Sequence, residues 1–473
     1  MNKFFKYIFL LSAIATTVSC KKYLDVNTSP NSPTEPAING LLTRVTQNAG
    51  LNVYRVANTT SYYVQHLASP NPTSQTDVYE PIDASTTWTN LYANMTDIYD
   101  LQKIAEAEGA TQYQGVAKIL MAMDLHLVHN LWGAAPYSEA FSGEILTPVY
   151  DDAETIFQTC LQLLDEGIAL VQLAGSTRTI PVVSGNAKTD LIHNGSTEAW
   201  VRTAHALKAR LLNQLSKTSG YNATNVLAEV GAAYTALDQD ASINVFDIRN
   251  PWNQLAVNNA SLLLDGWLSA YYVDAMDGTT YGFADPRLPL TASITKFNDY
   301  RGTPNGVGRI GSGTQQEESY ISLTGYYSSS SAPLYIISYE EVKFIDAEAS
   351  FRSNNKTRAY AAYLEGIRAN MTKMGVSVTD REAYVNNPAI SVGEANLTLK
   401  HIFTEKHKAL FLSPVTWDDA RRFDYQYQGF QLPVNAVTNT FVRRLVYPSV
   451  ETSRNGKMVP SVTDVTQRLW CDQ

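Results

Sequence analysis

Apolar residues recur at three- and four-residue steps along most of this chain, and that spacing confines it to packed helices. Val116, Ile119, Leu120, Met123, Leu127 and Leu131 form one stripe, predicting a helix over about 112–131. Ile156, Cys160, Leu164, Ile168 and Val171 form a second, and Trp200, Ala204, Leu207 and Leu211 a third. Leu399, Ile402, Phe403 and Leu410 repeat the pattern with Lys406 as a polar intruder. Ser338 and Glu341 stand at capping-box spacing and open a helix reaching 351, followed by a break at 353–356. Tyr360, Tyr363, Leu364, Ile367, Met371 and Met374 then stripe a second helix that stops at Gly375. Two antiparallel helices with Ala347 and Ala349 at close-packed positions match the tetratricopeptide unit of about 34 residues. Segments 197–217 and 222–237 offer another pair. The expectation is a mainly α chain: a tetratricopeptide-like helical repeat scaffold with long irregular loops and few short strands.

The first residues obey different rules. Lys3 and Lys6, an apolar run from Tyr7 to Ala15 and small residues up to Cys20 read as an export signal over 1–19, too short to span a bilayer. Thr17, Val18, Ser19 and Cys20 approximate a lipobox, with Thr17 in place of the usual leucine, so Cys20 is the expected lipidation site. Asn, Ser, Thr and Pro dominate 20–36, which suits a tether, and one folded domain is expected over 37–473.

Formal charge is −9, and losing Lys3 and Lys6 with residues 1–19 leaves −11, a poor match for nucleic acid. Cys160 and Cys471 alone remain after Cys20, too few for a disulfide scaffold, so the core must hold the fold. Gly306, Gly308 and Gly311 spell a dinucleotide fingerprint without the strand and helix it requires, which favours a loop. His126 and His129 lie three apart with no visible third ligand, and they read as packed or partly exposed histidines. The acid pairs at 151–152, 317–318 and 418–419 read as solvated, the first as helix N-terminal charges. No nucleophile elbow, P-loop or CxxC occurs, and no catalytic residue, metal or cofactor is expected.

Tyrosine (28) and tryptophan (7) together far exceed phenylalanine (15), and such rings pair an apolar face with a polar handle. They gather where helical spacing weakens, at about 247–333, an aromatic loop insertion. Sugar rings stack C–H faces on such side chains while their hydroxyls seek Asn, Asp and Arg. Trp252, Trp267, Tyr271, Tyr272, Tyr281, Tyr300 and Tyr326 there, and Trp88 in an earlier polar loop, are therefore candidate ligand contacts, with Asn253 and Arg301 as polar partners. Filling grooves between helices is the competing role for these rings, and spacing does not separate the two.

Several motifs resemble one family. Tyr23, Leu24 and Asp25 after Cys20 are similar to its mature start, and Trp132, Gly133, Pro136, Tyr137, Ser138, Glu139 and Ala140 to its WGDxPYSEA segment, with Ala134 replacing Asp. Asp285 to Leu288 match a DPRL turn, Tyr339, Glu341, Val342, Ala347, Glu348 and Ala349 the hallmark helix, and Tyr363, Glu365, Gly366 and Ile367 the YxEGI that follows. Trp417, Asp419, Arg421 and Arg422 resemble WxDxRR, Arg443 to Glu451 an RRLxYPxxE tail, and Leu469, Trp470 and Asp472 a terminal WWD. In this order they resemble the SusD/RagB family of nutrient-binding outer-membrane lipoproteins. The resemblance implies a helical binding protein without catalysis, lipid-anchored at the outer membrane and facing the cell surface. It would form a lid on a SusC-like TonB-dependent transporter that imports captured oligomers. An oligosaccharide is the expected ligand; peptide capture and a helical glycoside-active enzyme are the alternatives.

Overall fold

A computed structural model describes residues 37–184, 188–262, 266–312 and 316–473. The expected export signal, the expected lipidation site Cys20 and the expected tether lie outside the described residues.

Six helices open the fold: α1 (Ile38–Tyr63), α2 (Ser85–Glu108), α3 (Thr111–Trp132), α4 (Ala153–Gln172), α5 (Thr197–Gln214) and α6 (Ala223–Ala232). Each packs against the next in sequence, because each carries one apolar stripe that only a neighbour can cover. At the α3–α4 crossing a Cβ on Gly115 would lie 2.7 Å from the Gly167 carbonyl oxygen, and one on Gly167 would lie 2.9 Å from that of Gly115. The two backbones therefore touch, which no larger residue would allow. Asp152 caps α4 by accepting from the Thr155 N–H at 2.8 Å, whereas Asp151 accepts from the N–H groups of Tyr137 (2.9 Å) and Ser138 (2.8 Å) instead of serving the helix.

The expected hairpin at 338–375 is present as α9 (Tyr339–Arg352) and α10 (Lys356–Met374), reached after α7 (Pro251–Leu262) and α8 (Ala270–Asp277). Ser338 caps α9 through the Glu341 N–H, and Gly375 ends α10 in a left-handed conformation. Helices α11 (Val378–Val385), α12 (Leu399–Ala409), α13 (Val415–Arg422) and α14 (Ser449–Arg454) complete the chain. Two antiparallel strand pairs join distant segments: β1 (Leu67–Ala68) with β3 (Trp267–Leu268), and β2 (Ala241–Ile243) with β4 (Leu334–Ile337). The 247–333 stretch is thus more ordered than its composition predicts. Asn250 caps α7 ahead of Pro251, and Ser269 caps α8.

The main core takes in residues from Ile38 to Cys471, so the C-terminal residues are built into the same packing as α1. Asp418 and Asp419 are not solvated as expected but buried at 4% exposure each, since α13 turns them inward onto cations. Arg421 reaches Asp418 at 2.6 Å, Arg422 bridges Asp419 (2.6 Å) and Glu348 (2.7 Å), and the polar intruder Lys406 meets Asp419 at 2.7 Å. Glu318 is likewise buried, accepting from the Thr303 hydroxyl at 3.0 Å. His126 and His129 are packed inside, and burial lowers both pKa values, to about 3 and about 4. Among the described residues no group of three potential metal ligands occurs, and no helix is long and apolar enough to cross a membrane.

Candidate ligand-binding site

Helix α8 ends at Gly278, whose φ of +101° and approach to the Phe283 carbonyl carbon (a Cβ would sit 2.9 Å away) exclude side chains. The chain then folds back on the helix. Thr280 N–H donates to Asp274 O (2.8 Å), Gly282 N–H to Gly278 O (2.7 Å) and Asp285 N–H to Met276 O (2.7 Å). This tight return leaves Tyr281 and Phe283 half-buried at the surface.

Beneath them the DPRL turn is locked by charge. Arg287 donates to both carboxylate oxygens of Asp285 (2.9 and 2.7 Å), to Glu405 Oε2 (2.9 Å) and to Asn370 Oδ1 (3.0 Å). Lys408 closes the network by donating to Glu405 Oε1 (3.0 Å) and to the Tyr384 hydroxyl (2.9 Å). Burial alone would raise the Asp285 carboxyl, but Arg287 and Lys408 outweigh it and hold the group ionised.

Two clefts open above this floor with Phe283 as their shared wall. The first, about 340 Å³, is lined by Tyr281, Phe283, Lys400, His401, Lys408 and Gln428 among others. The second, about 470 Å³, includes Asp277, Phe283, Tyr300, Asp380, Tyr384 and Asn387. Half-exposed rings beside polar groups give a sugar or peptide both an apolar face and hydrogen-bond partners.

Of the candidate residues, Tyr281 lies in the first cleft and Tyr300 in the second. Four others cannot offer a ring face, because the core already covers them. Trp88, expected in a loop, lies in α2 at 3% exposure, stacked on Tyr92 with centroids 4.6 Å apart. Trp252 (3%) meets the edge of Tyr54 at 4.7 Å, and Trp267 (1%) sits in β3. Tyr272 (1%) stacks on Phe411 at 4.5 Å and donates to Thr291 Oγ1 at 3.1 Å. Asn253 is buried too, holding the carbonyls of Leu323 (3.0 Å) and Ser328 (2.7 Å). Tyr271 is wedged edge-on against Phe430 at 4.8 Å, and the Tyr326 hydroxyl is engaged by that of Tyr335.

Arg301 is exposed, paired with Asp299 (2.8 Å) and lying over the Phe297 ring at 4.1 Å. Phe297 stands 50% exposed at the tip of a turn closed by Thr295 N–H to Asp299 O (2.9 Å). Phe283, Phe297, Lys400 and His401 escape a reading weighted to tyrosine and tryptophan. The available signal was position: both phenylalanines stand among Gly, Asp and Asn and outside any helical stripe.

The glycine-rich segment is a loop, as expected. Gly306 N–H (2.5 Å) and Asn305 Nδ2 (2.6 Å) donate to the buried Asp77 carboxylate, while Val434 N–H donates to Asn305 O (3.0 Å), so three distant loops are knitted together.

A family model described as starch-binding and associating with the outer membrane, SusD-like, matches residues 30–448. Among solved structures, a chitin-binding SusD homologue from Flavobacterium johnsoniae is similar with a TM-score of 0.76 at 21% identity, covering 92% of this chain and 98% of its own. A SusD/RagB family protein from Bacteroides thetaiotaomicron gives a TM-score of 0.74 at 19% identity over 93% of this chain and 99% of its own. A SusD homologue from Bacteroides uniformis gives 0.74 at 19% over 92% and 99%. At these identities the likeness establishes a shared fold. No curated protein matches the sequence.

Proposed function

The chain belongs to the SusD-like family, whose members are binding proteins rather than enzymes, and from that premise we propose that it captures an oligosaccharide in the clefts beside Phe283. The captured oligomer passes to a SusC-like TonB-dependent transporter. In this reading residues 1–19 direct export, and lipid on Cys20 holds the body at the outer membrane, on the cell surface.

The single observation that carries the ligand site is the pair of clefts sharing Phe283, where half-exposed rings adjoin polar side chains on a rigid ionic floor. Open aromatic faces suit the C–H face of a sugar, and a pre-formed floor spares ordering entropy on binding. The binding of chitin by the Flavobacterium homologue agrees with a glycan ligand.

Isothermal titration with a panel of glycan oligomers tests this. Phe283→Ala is expected to weaken binding by about 1 kcal/mol, roughly fivefold, with unchanged folding by circular dichroism. Unaltered binding of every oligomer would sink the assignment of the site. Binding of peptide mixtures with silence on all glycans would replace oligosaccharide by peptide.

A further inference from the structure

We infer that the Tyr281 cleft takes an acidic sugar, its carboxylate or sulfate seated against Lys400 and His401. This rests on reading the cleft as the ligand site and names the ligand's charge.

Hydrogen-bonding capacity in the lining of this cleft is unevenly filled. Glu405 is the one carboxylate in the lining, and it is already engaged. Its Oε2 accepts from Arg287 at 2.9 Å, and its Oε1 accepts from the Tyr384 hydroxyl at 2.8 Å and from Lys408 at 3.0 Å. Lys408 is buried, and its ammonium is spent on Glu405, Tyr384 and the Tyr281 ring, whose centroid is 4.7 Å away. Gln428 donates to the Thr280 carbonyl at 3.0 Å.

Lys400 is different. It is exposed at the mouth of the cleft and forms no ion pair among the described residues. His401 Nδ1 accepts from the Thr398 backbone N–H at 3.1 Å. Accepting from that N–H leaves the ring proton of the neutral imidazole on Nε2, and partial burial and the neighbouring Lys400 lower the His401 pKa against the raising effect of Glu405. The capacity left open by these two residues is therefore donor capacity, a charged ammonium beside an imidazole N–H.

Neutral hydroxyls would accept from both donors, but only an anion also answers the ammonium's charge, and charge-assisted hydrogen bonds are the stronger kind. Tyr281 and Phe283 then face the C–H side of the same ring. Across Phe283 the polarity reverses. The second cleft has Asp277 and Asp380 in its lining and no cation. An oligomer spanning both would be oriented, with its acidic residue drawn to the first cleft and repelled from the second.

The test titrates the protein with three probes: an oligomer of galacturonic acid, a sulfated neutral oligomer and an uncharged chitin oligomer. One or both acidic probes should bind more tightly than the uncharged one at low ionic strength, with the advantage shrinking as salt is added. Whichever binds identifies carboxylate or sulfate as the group. Lys400→Ala should weaken the acidic probe by roughly fivefold, and Lys400→Glu by more, with smaller effects on the uncharged one.

Equal affinity for all three probes, or indifference of the acidic probe to Lys400→Glu, would overturn the inference. If the uncharged oligomer still responds to Phe283→Ala, glycan capture stands and the charge assignment alone falls. If no probe responds to Tyr281→Ala or Phe283→Ala, the cleft itself is the wrong site.

Discussion

Asp77 shows how a single side chain can hold three loops and make them sensitive to pH. Burial raises its carboxyl to about 6, even though Gly306, Asn305 and Ser69 donate to the ionised form. Because the folded value exceeds the ordinary 3.8, the folded state holds this proton more tightly than the unfolded chain does. The resulting stabilisation is complete below pH 3.8 and is lost as pH rises through about 6. Asp77→Asn should therefore gain on the parent protein by up to about 3 kcal/mol between pH 4 and pH 7, read as the difference in thermal midpoints. A difference that does not change with pH would show that Asp77 titrates as a surface carboxylate. None of this was visible beforehand, since Asp77 and Gly306 are 229 residues apart. The same distance problem misplaced the aromatics: Trp252 finds Tyr54 and Tyr272 finds Phe411 only in the folded chain. Tyr281 and Tyr300 differ because the turns that carry them are locally specified by Gly, Pro and Asp.

Helices were the legible part, since caps and periodicity act over a few residues. Ser338 and Gly375 marked the ends of the α9–α10 hairpin to within a residue. The helix expected to reach 237 stops at Ala232 because Tyr234 turns inward and bonds Thr203 at 2.7 Å. Two substitutions separate local propensity from packing. Gly115→Ala improves helix propensity by up to about 1 kcal/mol, yet its methyl would enter the α3–α4 contact. Overpacking of that kind costs about 1–3 kcal/mol, so urea denaturation should show a net loss. Lys400 lies in the first turn of α12, where no acidic residue offsets the helix dipole. Lys400→Glu should raise stability by about 0.3–1 kcal/mol, a gain opposite in sign to the loss of acidic-ligand affinity inferred above. A drop in thermal midpoint would mean that Lys400 has an attractive partner.

Across the whole molecule, buried charge ties the C-terminal half together. Arg287 links Asp285 of the turn after α8 to Asn370 of α10 and Glu405 of α12, with each of these groups buried. Arg422 does the same for α9 and α13. Replacing such a network by apolar packing is often neutral, but removing one partner leaves a charge stranded in a medium that cannot solvate it. Arg287→Ala is expected to cost about 3–5 kcal/mol and to lower the denaturant midpoint without changing the slope. A loss under 1 kcal/mol would mean that water reaches Asp285 and Glu405. Asp285, Arg287, Glu348, Asp419 and Arg422 of the motifs that carried the family resemblance belong to these networks, which explains why those positions were readable in sequence and yet uninformative about the ligand.

The floor and the rim of the cleft also differ in how freely they can change across generations. Asp285, Arg287, Glu405 and Lys408 each answer to at least two partners, so replacing any one is penalised by folding before ligand choice is ever exposed to selection. Lys400 makes no ion pair among the described residues, and Phe283, though it leans on Tyr384 at 5.5 Å, is only half-buried at the wall shared by the two clefts. In the reading proposed above, duplicated descendants of such a chain would keep one body and diverge in diet at a handful of surface positions.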